Sequence, residues 1–265
     1  MQNGKENSKS IVGSQALDQK PKSERYEPAH VDLDNKNSSH TLAIELTGRN
    51  KQVLEVGTST GYITKILKQR GNQVIGIEID KDAGNVAGQF CESMIIGDIE
   101  ELDLDEYIQP ASIDVILLTD ILEHLRWPGR ILGKIKKYLT PDGYLVVSLP
   151  NVAHGDLLLN LLNGDFRYTS MGLLDETHLR FFGRRNIVSI FNKYGYTIED
   201  LQKTIAPVGS SELRLDTSMV PPELLKFIKS LPDSDVYQFV FKAVPAESSL
   251  NESVPNVDFN EAFKS

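Results

Sequence analysis

Gly57-Thr58-Ser59-Thr60-Gly61 follows the run Val53-Leu54-Glu55-Val56 and precedes apolar side chains at Ile63, Ile66 and Leu67. That pattern reads as strand, tight loop and helix. The two glycines let the backbone turn sharply and approach a ligand. The helix that starts near Thr60 aims unpaired N–H groups and a positive dipole end at whatever sits there. Such a loop cradles the phosphate or sugar side of a nucleotide-like ligand. Glu78 ends the next apolar run and lies 21 residues beyond Gly57. In nucleotide folds a carboxylate there accepts hydrogen bonds from ribose hydroxyls. Two histidines much farther along, His154 and His178, are side chains able to take a proton near neutral pH.

The elements that must position these residues alternate. After the glycine loop come a strand over Gln73 to Ile79, a helix from Lys81 to Phe90 and a short strand from Ser93 to Ile96 ending at Gly97-Asp98-Ile99. A fourth strand, Ile113 to Leu118, leads to Thr119-Asp120-Ile121-Leu122-Glu123-His124. A helix over Ile131 to Leu139 stops at Pro141-Asp142-Gly143, and a fifth strand runs from Tyr144 to Leu149. Strands alternating with helices predict an α/β fold with a doubly wound sheet. The alternation then breaks: residues 150 to 182 mix a leucine-rich helix with aromatic, Asp, Thr, Arg and His residues. Inserted where open α/β sheets bind ligands, this segment reads as an acceptor-binding cap. Helix Arg184 to Tyr194, strand Thr197 to Thr204, helix Pro222 to Leu231 and strand Val236 to Val244 complete the domain. Ser38 or Ser39 reads as the N-cap of an earlier helix around Thr41 to Leu46.

A dinucleotide loop requires Gly-x-Gly-x-x-Gly, but Ser59 and Tyr62 occupy its second and third glycine positions. The remaining Glu55-x-Gly57-x-x-x-Gly61 resembles motif I of class I S-adenosylmethionine (SAM) methyltransferases, with Ser59 where that family has its middle glycine. The resemblance implies a seven-stranded, mostly parallel sheet whose last strand is inserted antiparallel. It implies SAM as cofactor, held by Glu55, Gly57, Thr58, Ser59, Gly61 and Tyr62 around the loop and by Glu78 and Ile79 at the second strand. Asp98, with Gly97 and Ile99, takes the position that binds adenine, and Thr119 and Asp120 the position that touches the methionine half. Leu174-Asp175-Glu176-Thr177-His178-Leu179-Arg180-Phe181-Phe182 and Val31-Asp32-Leu33-Asp34 resemble runs in methyltransferases of polysaccharide and lipid-linked sugar assembly. They imply a small-molecule acceptor, a sugar or glycan-linked hydroxyl, for which His178 and then His154 are the candidate general bases. His124 reads as a residue of a scaffold helix. Two alternatives stand beside this reading. One is an NAD-dependent sugar dehydrogenase or epimerase, disfavoured by Tyr62 and by the lack of a Tyr-x-x-x-Lys pair. The other is a SAM-binding regulatory partner without activity.

Composition bounds the rest. A chain of 265 residues that is 40% hydrophobic supports one domain with a sizeable core. A net charge of −9 argues against an electrostatic grip on nucleic acid. One cysteine, Cys91, excludes an internal disulfide and a Cys-based zinc cluster and fits a cytoplasmic setting. No apolar run approaches the ~20 residues of a membrane span. The acidic run Glu100 to Glu106 reads as a solvated loop, and no residue is assigned to a metal. Residues 1 to 27 and 245 to 265 are polar and aperiodic and are expected to be disordered tails. The sequence does not fix the oligomeric state.

Overall fold

The alternation of apolar and polar positions along each strand determines how the helices are arranged. In a computed structural model, which describes residues 31–213 and 215–246, the strands are β1 (Gln52–Val56), β2 (Gln73–Glu78), β3 (Ser93–Ile96), β4 (Ile113–Thr119), β5 (Leu139–Pro150), β6 (Tyr196–Ile205) and β7 (Val236–Pro245). They form one sheet in the order β3-β2-β1-β4-β5-β7-β6. The first five pair in parallel, as in Val53 opposite Val74 and Leu54 opposite Ile116. β7 slots antiparallel between β5 and β6. The seven-stranded sheet and its antiparallel insertion agree with the expectation.

Because successive strand residues face opposite sides, the sheet has two cores. Val53, Val115, Leu117, Val146 and Val240 form one with Leu42, Ala43 and Ile44 of α1 (Ser39–Thr47) and Ile63 and Leu67 of α2 (Tyr62–Gln69). Leu54, Ile116, Leu118, Leu145, Val147 and Phe239 face the other, against Ile131, Leu132 and Ile135 of α4 (Pro128–Ile135) and Ile187 and Phe191 of α6 (Arg184–Lys193). Each fully buried side chain of this size contributes about 1.5–3 kcal/mol by leaving water, so apolar burial is the main hold on both faces. The remaining helices are α3 (Lys81–Ala87), which packs on β2 and β3, and α5 (Gly155–Leu162) with α7 (Pro222–Ser230), which pack on each other.

Several local readings differ in extent. Ser38 caps α1 as expected, its Oγ accepting from Thr41 N. α3 ends at Ala87, with Gly88 at its C-cap, three residues before the expected Phe90. Glu123-His124 lie in a 3-10 turn, Leu122–His124, and not in a scaffold helix. α4 begins at Pro128, three residues before the expected Ile131, and ends at Ile135; the missing N–H of Pro128 suits a first turn. Residues 1–30 and 247–265, with all of the expected N-terminal tail and most of the C-terminal one, lie outside the described residues, whereas Pro245 closes β7. Among the described residues no helix is long and apolar enough to cross a membrane.

Candidate active site

Parallel strands deliver their carboxyl ends to one edge, and the residues of interest collect there. The turn after β1 is built on left-handed backbone: Gly57 at φ 76°, Ser59 at 48° and Gly61 at 82°. A Cβ on Gly57 would stand 2.0 Å from Ile121 Cδ1, so close approach from the β4 side requires glycine there. The Gly57 and Thr58 N–H groups donate to Ile77 O, anchoring the turn on β2. Glu55 lies beneath it, 1% exposed, and accepts from Thr64 Oγ1 of α2 at 2.7 Å. Burial pushes its pKa from 4.5 to about 8. Glu55 thus supports the loop and offers no open surface to a ligand.

Glu78 closes β2. Its Oε2 accepts from Ser59 N at 2.8 Å and its Oε1 from Asp80 N at 2.9 Å. A carboxylate has about four acceptor sites, so after these two bonds it can still receive a diol. Gly97 N donates to Glu78 O, which sets Asp98 beside it. Asp98 Oδ1 accepts from Glu100 N, and Ile99 is buried below. Ile79 is 56% exposed, an apolar wall at the strand end. Thr58 is buried, whereas Tyr62, the first residue of α2, packs against His40 with the rings tilted and their centroids 5.2 Å apart.

At the end of β4, buried Thr119 precedes Asp120, a non-glycine residue at φ 52°. Such strain concentrates at functional sites. Asp120 Oδ1 accepts from Ser148 Oγ of β5 at 2.6 Å and from Gln238 Nε2 of β7 at 2.8 Å. Gln238 also lines a cleft of about 450 Å³ with Ser38, His40, Thr204, Glu212 and Tyr237 among its walls. Buried Asp156 organises one wall, its two oxygens accepting from Gly209 N and Ser211 N. Glu212 bridges Leu173 N and the Tyr237 hydroxyl. Sequence reasoning missed Gln238, Glu212 and Asp156, because they converge only through β7 and the connection from 206 to 235.

The two candidate bases separate. His154 is fully buried, its Nε2 on Ala206 O at 2.8 Å and its Nδ1 accepting from Asp156 N at 3.2 Å as the N-cap of α5. Both ring nitrogens are engaged, which leaves His154 no free lone pair in this arrangement. His178 is 9% exposed, and its Nδ1 is buried with no hydrogen-bond partner. Its ring lies 4.8 Å from that of His124. Burial lowers the pKa of both imidazoles, leaving them neutral near pH 7. Glu123, 1% exposed, has neither carboxylate oxygen hydrogen-bonded. Burial pushes its pKa well up, helped by Asp120 and Asp175. Its backbone carbonyl accepts from Leu179 N and Arg180 N, which pins the cap segment to the 3-10 turn. The adjacent Glu-His pair two residues after Ile121 was the signal in the sequence.

Residues 32–201 match a family described as a methyltransferase domain, a span covering more than half of the chain. Protein-L-isoaspartate O-methyltransferase 2 of Shewanella sediminis is 32% identical over 129 residues, 47% of this chain and 50% of that protein. The chain therefore spans only half the length of that relative. Ubiquinone biosynthesis O-methyltransferase of Aeromonas salmonicida is 20% identical over 182 residues, 68% of this chain and 76% of that protein. The crystal structure of Burkholderia thailandensis 1,6-didemethyltoxoflavin-N1-methyltransferase with S-adenosylhomocysteine bound shares the fold, at 17% identity, a TM-score of 0.51 and 82% coverage of each chain. With motif, sheet order and family match in agreement, the chain belongs to the class I SAM-dependent methyltransferase family.

Proposed function

We propose that this protein methylates a hydroxyl of a small polar acceptor, a sugar or glycan-linked molecule, using SAM. The observation that carries the acceptor class is the cleft beside Asp120: its walls offer Ser38, His40, Thr204, Glu212, Tyr237 and Gln238, donors and acceptors suited to a polyhydroxylated molecule. Both relatives described above are O-methyltransferases, which supports an oxygen acceptor.

The residues present fit the cofactor. The left-handed turn over Gly57, Ser59 and Gly61 brings the loop backbone onto Glu78, Glu78 keeps acceptor capacity for ribose hydroxyls, and Gly97, Asp98 and Ile99 stand next to it for adenine. Thr119 and Asp120 face the methionine half. When bound, SAM supplies an electrophilic methyl group on a sulfonium. The chain's own task is then to hold the acceptor in line, exclude water and remove one proton. His178 is the side chain for that last step: it is neutral, Nδ1 is unpaired, and the cap segment that carries it is fixed to the end of β4.

The test is a turnover screen with methyl-labelled SAM against nucleotide sugars and short glycans, with the product methyl ether located by NMR. Methyl transfer to a hydroxyl supports the reading. Transfer to nitrogen, or SAM binding without turnover on any acceptor of the class, counts against it.

A further inference from the structure

The sequence assigns no residue to a metal, yet three donor groups meet beneath the cap segment. One ligand atom from each of Glu123, His124 and His178 lies within 4.8 Å of the others. Bonds of about 2.1 Å to a shared ion place donors roughly 3–4 Å apart, so the three have about 1–2 Å to close.

Hydrogen bonding fixes which atoms are offered. Thr177 has a single hydroxyl proton, and it goes to Asp175 Oδ1 at 2.7 Å. Thr177 Oγ1, 3.1 Å from His124 Nδ1, can then only accept, as can Thr177 O at 3.3 Å. His124 therefore carries its proton on Nδ1 and turns the bare Nε2 away from Thr177. The Nδ1 of His178 is buried and has no hydrogen-bond partner, so it is available to an ion. Both oxygens of Glu123 are buried and unpartnered as well. Two bare imidazole nitrogens and one carboxylate, with a Thr-Asp pair orienting one ring, form a ligand set with its outer support in place.

We infer that Glu123, His124 and His178 bind one divalent transition-metal ion, which holds the acceptor hydroxyl. Imidazole nitrogens favour Mn²⁺, Fe²⁺, Co²⁺ or Zn²⁺ over Mg²⁺, and three protein ligands leave positions open. On the ion, the hydroxyl O–H bond would break with its electron pair left on oxygen, and the proton would pass to solvent water. His178 is then a ligand and no longer the base. This use of the ion rests on the methyl-transfer reading; the ion's binding does not.

The full chain, stripped with EDTA and desalted, is titrated with MnCl₂ by calorimetry, with MgCl₂ as the counter-probe. One Mn²⁺ per chain is expected, with Mg²⁺ at least tenfold weaker. Glu123→Gln and His178→Ala should each weaken Mn²⁺ at least tenfold while leaving S-adenosylhomocysteine binding unchanged. Thr177→Val, a positioning change, should weaken it about 10–100-fold with circular dichroism unaltered. Electron paramagnetic resonance of the wild type needs no variant to fold, and bound Mn²⁺ should show imidazole nitrogen coupling. No Mn²⁺ binding by chain that still binds S-adenosylhomocysteine, or bound Mn²⁺ without nitrogen coupling, overturns the site. Full-rate methyl transfer in EDTA overturns the ion's role and leaves the methyl-transfer reading standing. Bound Mn²⁺ with no methyl transfer does the reverse.

Discussion

Ser59 donates its backbone N–H to Glu78 Oε2 over 2.8 Å, joining the turn after β1 to the acidic end of β2. The bond orients the carboxylate before any ligand arrives, so little ordering remains to be done on binding. Glu78→Ala is expected to weaken SAM at least tenfold, since hydrogen bonds to a charged group are worth about 1.5–3 kcal/mol each. Glu78→Gln, which keeps one acceptor oxygen, should lose less. Calorimetry with SAM and NAD on the same preparations checks this. Unchanged SAM affinity in Glu78→Ala, or tight NAD binding by the wild type, would refute the assignment.

Glu55 makes a prediction about pH. Its folded-state pKa of about 8 is raised from 4.5 by burial, with the Thr64 hydrogen bond opposing. The native state therefore binds more protons than the unfolded chain between these values. Stability falls as pH rises through that window and levels off above about 8. The slope from this one group is at most about 1.4 kcal/mol per pH unit. In urea titrations from pH 5 to 8, Glu55→Gln should gain on the wild type steadily as pH rises. A constant difference between the two proteins would show that Glu55 is ionised throughout.

The parts legible in the sequence were those set by local pattern. Periodicity placed the strands, and Gly57, Glu78 and Asp98 follow from strand ends whose spacing the fold fixes. The cleft was not legible, because Gln238 and Glu212 reach it from opposite ends of a long connection. The setting of His124 was missed for another reason: the resemblance placed it in a scaffold helix, but the 3-10 turn over Leu122–His124 brings Glu123 and His124 against the cap. His154 and His178 look alike in sequence, and only their hydrogen bonds tell them apart.

Gly57 tests the loop geometry. Alanine at φ 76° costs about 1–2 kcal/mol from the left-handed conformation alone, and its Cβ meets Ile121. Gly57→Ala should therefore lower both stability and SAM affinity. In the double variant Gly57→Ala, Ile121→Ala the steric part is relieved, so the combined loss of stability should be smaller than the sum of the single losses. Strict additivity would show that Ile121 does not restrict the loop.

His154 and His178 should part company when stability and turnover are measured separately. His154→Ala removes the N-cap acceptor of α5, worth about 0.5–2 kcal/mol, and leaves the half-buried Ala206 O without its donor, about 1–3 kcal/mol more at most. A loss of about 2–4 kcal/mol in urea unfolding is expected, with turnover per folded molecule near the wild-type value. His178→Ala gives up a ring nitrogen that has no partner, so its stability change should be smaller, about 1 kcal/mol. Its turnover should instead drop about 10²–10⁴-fold with SAM affinity intact, whether the imidazole takes the proton itself or holds the ion that releases it. Wild-type turnover in His178→Ala would remove it from the chemistry. A large turnover loss in folded His154→Ala would return His154 to the site despite its two engaged nitrogens.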